Sequence, residues 1–157
     1  MTAYVEPLDA ILWFTRIELI ADGALGCVEN SLRHASHLLQ LTPEPLRPFV
    51  GLSIGAELFE ALLDSGDFDT AARHLVAQRT ALSVDGTAGD RLITATIKCP
   101  ALGLNIHGMG ETVADAVLEA WAARVLALRA EFGADLSRLV HRFPHGGLVE
   151  QRRSSPQ

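Results

Sequence analysis

Lysine is nearly missing from this chain. Of 13 basic residues in 157, only Lys98 is a lysine, against 19 acids and a formal net charge of −6. No basic stripe is present, and the densest basic spot is Arg152 and Arg153 in the terminal QRRSSPQ. Nucleic acid is held by clustered cations, so this balance argues against it as a direct partner. The preference for arginine fits a GC-rich bacterial genome or its phages. Cysteine is scarce as well. Cys27 and Cys99 form no CxxC and no paired framework, which points to a reduced, cytoplasmic compartment. No apolar run approaches the roughly 18 residues of a membrane span. The start, MTAYVEPLDA, lacks the basic segment of a secretory signal.

What is present is a globular composition, 48% hydrophobic and 20% charged. The length suits one domain, or one domain with a helical extension. Pro7 opens a helical pattern to about Asp22, with Ala10, Trp13, Phe14, Ile17 and Ile20 on one face. Asp22-Gly23 ends it. A second helix is predicted over 24–40, before the three prolines of TPEPLRP. A third fits 54–64 and a fourth 69–78, joined by the DSGD turn, with Asp67 or Asp69 as cap. This pair reads as an αα-hairpin; a single unit does not make a tetratricopeptide array.

The period changes near residue 80. RLITATIK alternates, with Ile93, Ala95 and Ile97 facing one way and Thr94, Thr96 and Lys98 the other, as in a half-buried antiparallel strand. TALSV before it and ALGLNIH after it complete a three-strand meander. A long helix follows over about 112–132, and a short one to about His141. The expected fold class is therefore α+β: an N-terminal helical region (1–78), then a three-stranded antiparallel meander packed on a long C-terminal helix (79–142), then a flexible tail (143–157), as one compact unit.

Each motif with chemical potential has a structural counterpart. NIHGMGETVADAV runs a strand through two glycines into a helix, the layout of a phosphate loop. Its first turn carries Glu111 and Asp115, which repel anions, and no G-x-G-x-x-G or Walker lysine is present. Thr112 and Asp115 have capping-box spacing, so a structural junction is expected. Gly51, Ser53 and Gly55 form G-x-S-x-G, the elbow of serine hydrolases. Asp64, Asp85 or Asp90 followed by His107 or His141 would complete a Ser-Asp-His order. Such an elbow needs a parallel sheet before it, however, and residues 1–40 read as helices. Ser53 is expected near a helix N-cap instead. His34 and His37 lie three apart on a polar helical face without a third ligand at suitable spacing, so no metal and no cofactor is expected.

PALGLNIHGMGETVADAV is similar to the hairpin-into-helix of HicB-type antitoxins, through Pro100, Leu102, Gly103, Gly110, Glu111, Thr112 and Ala116. It also resembles a sandwich domain of phage proteins at the same strand-to-helix step. The similarity spans about residues 100–128, with one extra residue between the turn and the second glycine. The basic DNA-binding tail of many such antitoxins is not evident here. The resemblance implies a protein that binds, and inhibits, a partner protein.

No catalytic set assembles from the sequence, so the expectation is a non-enzymatic, acidic protein-binding module with a basic protein partner and no direct contact with nucleic acid or membrane. Its contact residues would be Glu57, Glu60, Asp64, Asp67 and Asp69. A homodimer is expected, joined through Trp13, Phe14 and Ile17, because a short meander leaves edges and so short a chain does not obviously bury every helix. The alternative is a small serine hydrolase using Ser53.

Overall fold

Helix α1, Ala10–Ala21, turns Trp13, Phe14, Ile17 and Ile20 inward, as their three- and four-residue spacing requires. The computed structural model describes residues 10–43, 46–47, 50–76, 80–86, 92–99 and 103–132. The expected short helix to His141 and the tail 143–157 lie outside the described residues. Gly23, with φ +70°, closes α1. Its N–H bonds the Ile20 carbonyl and the Ala24 N–H bonds that of Leu19, the two-bond cap that a left-handed glycine permits.

Helix α2 runs Val28–Gln40. It starts four residues later than the periodicity suggests, because Gly26, at φ +91°, holds its segment off the helical region. Helix α3 is Ala56–Asp64, and α4 is the short Phe68–Arg73. Between them, Gly66 closes α3 in the manner of Gly23, and Asp67 caps α4 by accepting the Thr70 N–H. Helix α4 stops at Arg73 rather than continuing to 78, with His74 as its C-cap.

Strands β1 (Ala81–Asp85), β2 (Ile93–Cys99) and β3 (Leu104–Gly110) form the antiparallel sheet β1-β2-β3. Ile93, Ala95 and Ile97 face the core, and Lys98 is exposed on the opposite face. The alternation expected for β2 is the alternation found. Helix α5, Val113–Phe132, packs on β2 and β3 and touches α1 and α4 along its length. One buried cluster includes Trp13, Leu32 and Phe59 from the helices together with Ile97, Trp121 and Leu128. The architecture is α+β, with helices first and a three-stranded meander on a long C-terminal helix.

The two glycines of the HGMG step have a packing role. A Cβ on Gly108 would stand 2.3 Å from the Ala120 nitrogen, and one on Gly110 would stand 2.5 Å from the Asp115 Cβ. Strand and helix backbones meet there directly, with Ala114, Ala116, Ala120 and Ala122 buried beside them. The helix start is capped within itself. Thr112 Oγ1 accepts the Asp115 N–H at 3.1 Å and donates to Asp115 Oδ2 at 2.9 Å. The expected junction is present. Asp115 bonds the threonine hydroxyl, where a full capping box would have it reach the backbone N–H.

The expectation of a dimer contact through Trp13, Phe14 and Ile17 needs correction. All three lie inside the protomer, at 0%, 4% and 0% exposure. The Trp13 indole N–H donates to the Leu38 carbonyl at 2.7 Å. Phe14 lies edge-on to Trp13 and beneath the Arg129 guanidinium. Helix α5 supplies the cover that the sequence pattern could not assign. The outward apolar residues of α1 are Ile11, Leu12 and Leu19.

Candidate functional site

The acidic residues singled out from the sequence divide into two groups. Asp67 and Asp69 serve helix ends. Asp67 caps its own helix, and Asp69 Oδ1 accepts the Ala114 N–H at 2.9 Å, tying α4 to the start of α5. An aspartate at such a position answers both the unpaired donors and the dipole of the helix. Both lie in a cleft where the N-termini of α2, α4 and α5 meet, with Asp115 as the third carboxylate.

Glu57, Glu60 and Asp64 belong to α3. Glu57 is exposed in its first turn. Glu60 and Asp64, one helical turn apart, both reach Arg33 on α2, and Glu29 reaches the same guanidinium from one turn before it. The Arg33–Asp64 and Arg33–Glu29 contacts are 3.1 and 2.9 Å. One positive charge thus stands among three negative ones, on a ridge where the Asp64 side chain stays 73% exposed. The hydrogen bonds of Glu29 and Asp64, with the charge of Glu60 behind them, hold the Arg33 guanidinium above its ordinary value, so it stays protonated. The ridge keeps a surplus of negative charge, with its carboxylates oriented by a shared arginine.

His34 and His37 line a shallow cleft beside Arg33, together with Leu25 and Asn30. His34 is held below the usual histidine range, first by burial and then by the charges of Arg16 and His37. Its Nε2 is buried and has no hydrogen-bond partner among the described residues. No group of three or more His, Cys, Asp or Glu side chains able to hold a metal ion occurs among the described residues.

The serine of G-x-S-x-G has a partner that sequence reasoning did not find. Ser53 Oγ lies 2.6 Å from His74 Nδ1, and the Ser53 N–H donates to the His74 carbonyl at 3.0 Å. The histidines and acids first considered lie elsewhere. His107 is on β3, 3.0 Å from Thr96 Oγ1; Asp64 is on Arg33; Asp85 ends β1. His141 and Asp90 lie outside the described residues. Residues 50–52 form no strand before Ser53, and Gly55, not Ser53, is the N-cap of α3. Side-chain and backbone bonds between the same two residues make a latch. It closes the 50–55 segment onto the end of α4. Only the tertiary approach of that loop to α4 reveals His74, since 21 residues separate it from Ser53 and no local pattern links them.

No family model, no curated protein and no solved structure matches this chain significantly. No helix among the described residues is long and apolar enough to cross a membrane.

Proposed function

We propose that the chain is a non-enzymatic protein-binding module that meets a basic protein surface through the α2–α3 ridge and restrains that partner. The observation that carries this reading is the cluster around Arg33. Three carboxylates from two helices share one guanidinium, remain partly exposed and leave negative charge in excess. Acids already held in place lose little side-chain entropy when a cationic partner arrives. Complementary charge also speeds association and makes it salt-sensitive. The recognition surface is narrower than the sequence suggests, because Asp67 and Asp69 are committed to helix ends. Glu57, Glu60 and Asp64 remain.

Replacing Glu57, Glu60 and Asp64 by Lys should abolish capture of the native partner from its host, with little change in melting temperature. Capture by the wild type should weaken as salt rises. Unchanged capture by the triple variant, or tight binding of the wild type to bare DNA at physiological salt, would refute the reading.

The Ser53–His74 pair favours a second reading, a serine hydrolase. Ser53 Oγ would attack an acyl carbon while His74 Nδ1 takes its proton and passes it to the leaving group. A fluorophosphonate probe separates the two. The binding reading expects no labelling; labelling lost in both Ser53→Ala and His74→Gln would establish the hydrolase.

A further inference from the structure

The sheet treats its two edges differently. At the β3 edge, the Met109 N–H is taken by Glu119 Oε1 of α5 at 2.6 Å, so a side chain occupies that edge. At the other edge, β1 (ALSVD) carries neither Lys nor Pro, and its register with β2 contains no bulge. These are the devices that usually keep an edge from pairing. Helix α5 packs chiefly on β3 and β2. Leu82 and Val84, which face the core side of β1, are therefore only half-buried. Among the described residues, the apolar underside of the sheet continues to an edge that no further strand or helix finishes.

We propose that β1 pairs with β1 of a second copy of this chain, antiparallel about a two-fold axis at Ser83, joining two three-stranded sheets into one of six strands. The strand is self-complementary in that register. Facing residues of an antiparallel pair must share a face of the sheet. Centring on Ser83 uses the whole strand and keeps that parity. Ala81 meets Asp85 of the other copy, Leu82 meets Val84, and Ser83 meets Ser83. The two Leu82–Val84 pairs extend the apolar underside across the axis and complete its burial. The one charged residue of the strand faces alanine and never its own copy. A contact of two five-residue strands is small beside a standard interface of roughly 1,600 Å². The dimer is accordingly reversible and concentration-dependent. The inference is independent of the binding reading, since β1 contains none of the ridge residues.

Light scattering of the full chain should show a mass rising from one protomer to two across the micromolar range. Ser83→Lys, which sets like charges face to face at the axis, should remain monomeric where the wild type is dimeric. Ser83→Cys in a background with both native cysteines replaced, Cys27→Ser and Cys99→Ser, should cross-link on mild oxidation, because directly opposed residues lie about 4.5–5.5 Å apart, within disulfide reach. That cross-link also decides the matter if Ser83→Lys does not fold. A wild type that stays monomeric throughout overturns the proposal, including the case where Ser83→Lys abolishes binding of some other protein, which would assign the edge to that partner. A dimer that forms but cannot be cross-linked through residue 83 overturns it too.

Discussion

Trp13 and Trp121 are both fully buried, one in the helical half and one in the helix that backs the sheet, yet the two halves hold them differently. Trp13 sits among large side chains and spends its N–H on the Leu38 carbonyl. Trp121 fills space on α5, and its N–H has no hydrogen-bond partner among the described residues. The same contrast runs through the packing around them. The helical half interlocks bulky groups such as Phe14, Leu32 and Phe59, whereas β3 and α5 meet backbone to backbone through Gly108 and a row of alanines. The first kind of packing is exposed to loss of volume. The second is exposed to added volume at the contact.

The largest effect should come from breaking the close approach. Gly108→Ala puts a methyl group against the Ala120 backbone, which a helix and a strand cannot both avoid. It should cost about 3 kcal/mol or more in chemical denaturation, at the upper end of overpacking. Gly51→Ala, with open space around its Cβ position and no left-handed φ, should change stability by no more than about 1 kcal/mol. Equal costs at the two sites would show that β3 and α5 can separate without loss.

The tryptophans sharpen the comparison at a smaller scale. Trp13→Phe removes a buried hydrogen bond and should cost about 1 kcal/mol more than Trp121→Phe, which removes a donor that has no bond to lose. The difference is modest because the Leu38 carbonyl also accepts from the Leu41 N–H and the Thr42 hydroxyl. Matched losses for the two variants would mean that the Trp121 N–H is satisfied in solution.

The smallest effect concerns pH and the helical half alone. Folding lowers the His34 pKa, so between the folded value and about 6.5 the unfolded chain binds more protons. The His34 contribution is complete above the unfolded value and is lost as pH falls toward the folded one. In His34→Gln, melting temperature should therefore fall less between pH 7.5 and 5.5 than in the wild type. An identical slope would remove His34 from the acid response.

Much of this was legible locally. The alternation of ITATIK, the Asp22-Gly23 stop, the DSGD turn and the Thr112 cap are each written within a few residues, and each is found. Boundaries failed where local geometry overrode periodicity, as at Gly26 before α2. The candidate site was less legible. Glu60 and Asp64 read as an acidic face from spacing alone, but their shared Arg33 lies on another helix, 27 and 31 residues earlier. Asp69 read as a candidate cap of its own helix; its bond to the Ala114 N–H, 45 residues away, was not legible.

Side-chain period and capping chemistry are short-range, so the sequence by itself determined the helices, the meander and the polarity of their faces. Which faces meet depends on contacts between residues far apart in the chain. The tertiary structure alone decided that α5 covers Trp13 and Phe14, that β3 must be glycine where α5 crosses it, and that His74 is the residue beside Ser53.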